Sequence, residues 1–297
     1  MKIKEYFDQY LDYLRARGMT KKTVREHQRI LKGALSHSIQ DYDVSNLKMN
    51  DAALVEQAGR IHGKYGSQRA VVVLRRLLSF IQNNGVVLPL DWRDIQIPRV
   101  PRPPVEYLTD EELDMLRNHL EQRVNTMAAL RTRALIEVLL DTGLRIGEAC
   151  LLKKKDINLA GKEAMIENIK THQMQKIYFT DRSLEWLQKY WSARQDGLEW
   201  AFVSGRGHML AVTAKQYLRE ITKDLNINKH IRHHIFRKTL CTKLLQNKVD
   251  IKSTQYIMRH NSERTTLRYY AAVNIEKCKE MHQLALEHTQ NQAQLAV

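Results

Sequence analysis

The sequence predicts a mainly helical protein with one small β-sheet, divided into two domains. Apolar residues recur at helical spacing along most of the 297-residue chain, and only two short segments have the pattern of strands. A run rich in proline between residues 97 and 104 separates two helical stretches. A chain of this length, with 43% hydrophobic residues, can fill two cores.

The first part of the chain is predicted to be helical throughout. Tyr6, Tyr10 and Leu14 share one face of a first helix. Gly18 ends that helix, and Thr20 begins the next one. The N-terminal stretch therefore predicts a bundle of short amphipathic helices.

A longer helix follows, with an apolar stripe that runs from Val72 to Ile81. Asn84 and Gly85 stop it. Arginines on this helix can follow a phosphate backbone, although solvated arginines on a helix surface are equally common. The arginines of this helix are Arg69, Arg75 and Arg76.

Four of the chain's five prolines lie in Ile-Pro-Arg-Val-Pro-Arg-Pro-Pro, which excludes a helix and favours an extended spacer. We therefore predict a helical domain over residues 1–95, a linker over 96–105 and a second domain over 106–297. Thr109 and Glu112 form a capping box that opens the second domain, with Leu108 and Leu113 at the staple positions. Two strands are predicted over 164–169 and 176–180, around a polar turn.

The charge balance points to a polyanionic partner. Lysine and arginine number 48 against 33 acidic residues, which gives a net charge of +15. Nucleic acid is the leading partner for such a chain, and a solvated basic surface is the alternative.

The cysteines and the apolar runs exclude other classes. Cys150, Cys241 and Cys278 lie far apart, so neither a disulfide framework nor a thiolate zinc site is predicted. The sequence has no apolar run of the roughly 20 residues that a membrane helix needs. We expect a cytoplasmic protein without a membrane segment.

The chemistry is concentrated in Arg145, His234, Arg237, His260 and Tyr269. Two guanidinium groups can bind the non-bridging oxygens of a phosphodiester, and imidazoles can move protons near neutral pH. A tyrosine hydroxyl can attack phosphorus. In a strongly basic chain this combination predicts phosphoryl transfer onto tyrosine.

Arg145 follows a glycine that can end one helix and start another, so backbone N–H groups add to its anion-binding field. Glu148, three residues later, can hold the guanidinium in place. An ordinary surface ion pair is the alternative for these two residues.

Three motifs resemble those of the tyrosine recombinase (phage integrase) family: Thr-Gly-Leu-Arg-Ile-Gly-Glu, His-x-x-Arg and His-x8-Tyr. The resemblance covers essentially the whole chain, and it favours a compact, Xer-like or transposon or phage integrase type. It implies that the first domain is a SAM-like, core-binding DNA-binding domain. The second domain is then an α+β catalytic domain with a C-terminal helix that docks on a neighbouring protomer.

The resemblance also implies an activity. The chain would cut and rejoin DNA through a 3′-phosphotyrosyl intermediate and a Holliday junction, in integration, excision or resolution, with no cofactor, metal or ATP. Implied partners are double-stranded DNA recombination sites, three further copies that complete a homo-tetramer on two sites, and accessory DNA-bending or directionality proteins.

Roles follow from the same resemblance. Arg145 and Arg237 would bind the scissile phosphate, with Glu148 in support. His234 would take up or position the tyrosine proton, and His260 would donate a hydrogen bond to the phosphate. A lone histidine beside apolar residues is otherwise more often structural.

The nucleophile and the general acid complete the expected set. Tyr269 matches the nucleophile, and Tyr270 is its rival, since adjacent side chains on a helix point about 100° apart. Lys170 would protonate the departing 5′ oxygen, and Lys176 on the same hairpin could be mistaken for it.

The chain departs from the family pattern at three places. Lys238 stands where histidine is usual, Met258-Arg259 where Leu-Gly is common, and Tyr178-Phe179 where Pro-Leu is frequent. Arg259 in place of glycine is expected to alter a tight turn near the site.

Three alternatives remain open. A type IB topoisomerase shares the same residue types, and an idle DNA-binding regulator could keep the scaffold. A metal-dependent nuclease would use His230, His233 and His234, but it needs clustered carboxylates that this segment lacks.

Overall fold

The computed structural model describes residues 1–63, 65–101, 103–123, 125–168 and 173–271. The chain divides into two compact units, Met1–Pro103 and Pro104–Val297. Helices dominate both units and strands are few, which confirms the predicted fold class.

Four α-helices form the first unit: α1 Phe7–Ala16, α2 Lys21–Ile30, α3 Asp51–Gly59 and α4 Gly66–Asn83. Gly18 follows α1 with a φ of 70°, a conformation that glycine adopts without strain. The Thr20 hydroxyl accepts a hydrogen bond from the Thr23 N–H and caps α2. Tyr10 and Leu14 are buried in the core, as their spacing predicts.

Helix α4 is the central helix of this unit, and its buried surface is wider than a single stripe. Val71 and Val73 are both buried, whereas Val72, the first residue of the predicted apolar stripe, is only partly buried. Because α4 packs on more than one neighbour, including α3, buried positions extend around the helix. Asn84 and Gly85 end the helix as predicted.

In the second unit the described residues form seven further α-helices, and residues 263–271 are also helical. These helices are α5 Asp110–Glu121, α6 Met127–Thr142, α7 Ile146–Cys150, α8 Asp181–Ser192, α9 Ala211–Ile221, α10 His233–Gln246 and α11 Ile251–Met258. The predicted capping box opens α5: the Thr109 hydroxyl and the Glu112 carboxylate each accept the other residue's backbone N–H. Leu108 and Leu113 are buried beside it.

Helix α6 is the centre of the second core, where α8, α9 and α10 pack against it. Its residues 134–139 are buried on every side. The helix ends at Thr142, and Gly143 follows in the left-handed conformation. This buried helix end is the platform for the residues described below.

Two small antiparallel sheets complete the unit. The first has the order β1 (Ile157–Asn158), β2 (Glu163–Glu167), β3 (Met174–Tyr178), and the second pairs β4 (Val203–Ser204) with β5 (Gly207–His208). The hairpin strands begin earlier than predicted and β3 ends at Tyr178, because Glu167 pairs with Met174 and Glu163 with Tyr178. The hairpin turn, residues 169–172, lies outside the described residues.

In the part of the chain that the structure describes, every helix is too short or too polar to cross a bilayer. The C-terminal helix expected after residue 273 and Cys278 both lie outside the described residues. Cys150 and Cys241 are free and buried, and burial raises the pKa of each thiol to about 12.

Candidate active site

The turn between α6 and α7 brings the site residues together. Gly143 has a φ of 57° there, and a Cβ at this position would lie 3.0 Å from Leu240 Cδ2 and 3.1 Å from Met258 Cε. The turn therefore requires glycine for both its conformation and its close packing on α10 and α11. Arg145 follows as the N-cap residue of α7.

Arg145 is paired with Glu148 through both backbone and side chain. The guanidinium Nη1 donates to Glu148 Oε1 at 2.7 Å, and the Arg145 backbone N–H donates to Oε2 at 2.9 Å. The Glu148 side chain is only 1% exposed and that of Arg145 is 26% exposed. This is not the ordinary surface pair considered as the alternative, because a buried carboxylate fixes one side of a guanidinium whose other side is open.

Arg237 lies on α10, three residues after His234. Its guanidinium donates to the carbonyl oxygens of Gly143 and Met258, which are the ends of α6 and α11. Burial, and after it the positive charge of Arg145, lower the pKa of Arg237 to about 10. Two of the five N–H groups of Arg237 are thus used for anchoring, and the others remain for an anion.

His260 follows the end of α11. Its Nδ1 atom is 2.9 Å from the Thr266 hydroxyl oxygen, which orients the ring. Burial, and after it the positive charges of Arg237 and Arg145, lower the pKa of His260 to about 3. The imidazole is therefore neutral at physiological pH, and it can donate one hydrogen bond through its remaining nitrogen.

Tyr269 stacks on His260, with ring centroids 6.1 Å apart and an interplanar angle of 16°. It also packs against the buried cluster that contains Cys241 and Met258. Burial raises the pKa of the Tyr269 phenol, the nearby Cys241 thiol raises it as well, and Arg237 opposes the shift. Tyr270 is 40% exposed, so of the two tyrosines Tyr269 is the one that lies among the site residues.

His234 is the second residue of α10 and lies at the exposed edge of the group. Its ring centroid is 4.1 Å from that of His233. Partial burial lowers the pKa of His234, and the charge of Arg237 lowers it further. The His-x-x-Arg spacing therefore places His234 within the electrostatic range of Arg237, nearer to solvent.

Of the two hairpin lysines considered as the general acid, the structure describes only Lys176. Lys170, the expected general acid, lies outside the described residues. Lys176 Nζ lies 3.0 Å from the Glu163 carboxylate on β2, and this hydrogen bond raises the pKa of Lys176.

One cation of this region was not among the predicted site residues. Arg259 is 3% exposed and lies beside the Glu148 carboxylate, with Nη2 at 3.9 Å from Oε2. Its φ of 53° keeps the left-handed turn that a glycine would make, so the backbone turn is retained despite the side chain. In the sequence, the arginine at a position where glycine is common indicated only an altered turn, and not a buried cation beside Glu148.

The three arginines of α4 lie in the first unit. The Arg69 side chain is 3.4 Å from Glu26 in an exposed pair, and the Arg75 guanidinium lies 5.4 Å from the centre of the Trp92 ring. Arg76 is exposed. Their contact with a phosphate backbone stays a prediction.

Among the described residues, no group of three or more histidine, cysteine, aspartate or glutamate side chains is arranged to hold a metal ion. His233 and His234 are adjacent, but a lone pair of imidazoles does not provide the carboxylate ligands that hard cations prefer.

A half-buried tyrosine next to two guanidinium groups and an oriented imidazole is typical of enzymes that transfer a phosphoryl group to tyrosine. The profile of the phage integrase family matches residues 106–277, more than half of the chain. The chain therefore belongs to the phage integrase family, and site-specific recombination by a tyrosine recombinase is the activity that these matches support.

Individual relatives are similar over nearly the whole chain. A tyrosine recombinase from Thermosipho africanus is 24% identical over 93% of this chain and 97% of its own length. Tyrosine recombinase XerC from Vibrio vulnificus strain YJ016 is 26% identical over 90% of this chain and 86% of its own length.

Solved structures share the fold. The Tn1549 transposon integrase in complex with transposon right end DNA has a TM-score of 0.78 and 20% identity, over 96% of this chain and 100% of that one. A lambda integrase tetramer bound to a Holliday junction has a TM-score of 0.72 and 18% identity, over 89% of this chain and 78% of that one.

Proposed function

We propose that the chain cuts and rejoins double-stranded DNA at specific sites, with Tyr269 as the nucleophile. The observation that supports this most directly is the stacking of Tyr269 on His260, beside the buried guanidinium of Arg237. In the proposed reaction the Tyr269 oxygen forms a bond to phosphorus, and the bond from phosphorus to the 5′ oxygen breaks. The number of phosphodiester bonds is conserved, because a 5′ hydroxyl of the partner duplex later reverses the step.

The two arginines have complementary roles in this proposal. Arg237 is anchored on two helix-end carbonyls, and Arg145 is anchored on Glu148, so neither has to be ordered when DNA binds. Preorganised donors of this kind stabilise the charge that develops on the equatorial oxygens of phosphorus. The Arg145 side chain is 26% exposed, so a phosphate can reach it from solvent.

The proton transfers are assigned to the remaining residues. Tyr269 is protonated at neutral pH because burial raises its pKa, so its proton has to leave as the new bond forms. We assign that step to His234, which lies nearer to solvent. His260, neutral and oriented by Thr266, donates to a phosphate oxygen, and Lys170 protonates the leaving 5′ oxygen.

The proposed assembly is based on two similar proteins of known structure, one in complex with transposon right end DNA and one a tetramer bound to a Holliday junction. We infer that the partners are recombination sites in double-stranded DNA, and that four copies act on two sites. The first unit would serve as the core-binding domain, with Arg69, Arg75 and Arg76 on phosphates. Accessory DNA-bending proteins and a cytoplasmic location are part of the same proposal.

Covalent trapping tests this function. The protein is incubated in EDTA with a nicked suicide duplex made from the DNA that flanks its gene, and adducts are resolved on a denaturing gel. We expect an adduct from the wild-type protein and from Tyr270→Phe, and none from Tyr269→Phe. Since each substitution removes one hydroxyl from neighbouring tyrosines, Tyr270→Phe is the matched control.

Two results would contradict the proposal. An adduct that persists in Tyr269→Phe and is lost in Tyr270→Phe would move the nucleophile to the neighbouring residue. Tight binding of the same duplex without any adduct would favour the idle DNA-binding regulator.

A further inference from the structure

Arg259 is a buried cation that the proposed chemistry does not use. It is 3% exposed, and its Nε and Nη2 atoms have no hydrogen-bond partner. Its backbone has φ 53° and ψ 46°, a conformation that is strained for a residue with a side chain. Such an arginine is unfavourable by itself, so other contacts in the folded protein must stabilise its position.

The bonds that Arg259 does make run parallel to those of Arg237. Arg259 Nη1 donates to the carbonyl oxygens of Thr142 and Ile257, each at 3.1 Å. Arg237 donates to the next carbonyl in each segment, those of Gly143 and Met258. Two guanidinium groups thus join the C-terminal ends of α6 and α11, where the helix dipole favours cations.

The Nη2 atom of Arg259, which has no hydrogen-bond partner, lies near Glu148, the carboxylate that anchors Arg145. Nη2 lies 3.9 Å from Glu148 Oε2, and both side chains are 1% exposed. A charge-assisted hydrogen bond needs about 2.7–2.9 Å, so a movement of about 1 Å would form it. Glu148 is the carboxylate that the charges of Arg145, Arg237 and Arg259 share.

We propose that Arg259 is a positioning residue for strand cleavage, which acts through Glu148 and Arg145. It lies beside the same Glu148 carboxylate that binds Arg145, and it fixes the peptide that leads into His260 against the end of α6. Because Arg259 is buried, it acts without touching DNA. This inference rests on the proposed function, since it assigns a support to the same site.

Substitution of Arg259 separates its charge from its backbone strain. Arg259→Met removes the charge and keeps a long side chain in the strained turn, whereas Arg259→Gly also relieves the turn. In the suicide-duplex assay we expect both variants to cleave about 10- to 100-fold more slowly, because Glu148 then holds Arg145 less accurately against the scissile phosphate. Duplex affinity is expected to stay within about twofold, since a buried residue contributes little to phosphate contacts.

The chain offers a matched control in Lys248. This residue is also a cation in the left-handed conformation, with a φ of 62°, but it is exposed and lies at the opposite end of α10 from His234. We expect Lys248→Gly to cleave at the wild-type rate. If Arg259→Gly also cleaves at the wild-type rate, Arg259 has no positioning role and the proposal is wrong.

A double-substitution cycle tests the route through Glu148. If Arg259 acts through Glu148, adding Arg259→Met to Glu148→Gln should slow cleavage no further than about twofold beyond Glu148→Gln alone. If the two losses multiply instead, the route through Glu148 is overturned. A general structural role would not produce this coupling together with unchanged duplex affinity.

Rescue and a reference reaction complete the test. In Arg259→Gly the lost group leaves space for a small guanidine, so ethylguanidine should restore part of the rate, and the uncharged ethylurea of similar size should not. Equal effects of the two compounds would overturn the proposal. The wild-type reaction distinguishes the two hypotheses: a missing wild-type adduct rejects the proposed function itself, whereas a normal wild-type adduct with normal Arg259 variants rejects only this inference.

Discussion

At the scale of single residues, Gly143 connects the fold to the site. Its carbonyl accepts from Arg237, and its left-handed conformation turns the chain towards Arg145. We expect Gly143→Ala to lower the free energy of unfolding by about 1–3 kcal/mol through backbone strain, and by more through the contacts of the new methyl group with Leu240 and Met258. Urea unfolding measures this loss.

Gly205 is the matched control for Gly143. It has a similar φ of 65°, but a Cβ there would meet nothing within 4 Å. Gly205→Ala should therefore show the strain cost alone and leave cleavage unchanged. Equal losses of stability in the two variants would mean that the close packing around Gly143 is unimportant.

At the scale of elements, the start of α5 joins two parts of the second unit. Glu112 completes the capping box with Thr109, and its Oε2 also accepts from Lys229 Nζ at 2.6 Å, shortly before α10 begins. We expect Thr109→Ala to destabilise the protein by about 0.5–2 kcal/mol, because the Glu112 N–H loses its acceptor. Thermal unfolding of the variant measures this.

Thr109→Ser keeps the hydroxyl and is the matched control for that change. It should unfold within about 0.5 kcal/mol of the wild-type protein. If the serine variant is as unstable as the alanine variant, the methyl group of Thr109, and not its hydroxyl, accounts for the effect.

The elements also show what the sequence alone can predict. The capping box of α5 and the glycine ends of α1, α4 and α6 are local signals, because the residues that form them are within a few positions of each other. The buried positions of α4 are not local, since they depend on which neighbours pack around the helix. The burial of Val71 and Val73 on either side of a partly buried Val72 therefore does not follow from helical spacing alone.

The same distinction applies to the site. Arg145, Glu148 and Arg237 stand in motifs whose chemistry can be inferred from residue type and spacing. Arg259 could not be assigned, because its carbonyl partner Thr142 lies 117 residues away in the sequence. Only the folded structure, in which Arg259 is buried and bound to the end of α6, shows that this side chain points inward.

At the scale of the whole molecule, both the entire chain and the candidate active site carry an excess of positive charge. The chain has a net charge of +15, and at the site the Glu148 carboxylate offsets the charges of three arginines, Arg145, Arg237 and Arg259. The first attracts a polyanion at long range, and the second favours one phosphate at a defined place. Because buried cations without a balancing anion are unfavourable, the positive charge of the site is balanced only when a phosphate binds.

Two partly buried histidines near these cations predict how the free energy of unfolding depends on pH. Burial and neighbouring cations lower the pKa of His260 to about 3, and burial and the His234 ring lower that of His233 to about 4, whereas an unfolded histidine titrates near about 6.5. Between these values the unfolded chain binds more protons than the folded one, so the free energy of unfolding must fall as the pH falls from about 6.5 towards 4. Interactions of Asp43 lower the pKa of its carboxyl, so the stability that the ionised form provides is lost only as the pH falls below the ordinary pKa of aspartate. Thermal unfolding at about pH 7.5 and about pH 5 in one ionic strength should show the loss in the wild-type protein and a smaller loss in His260→Asn, which cannot titrate. An equal loss in both proteins would show that His260 is not held neutral by the site.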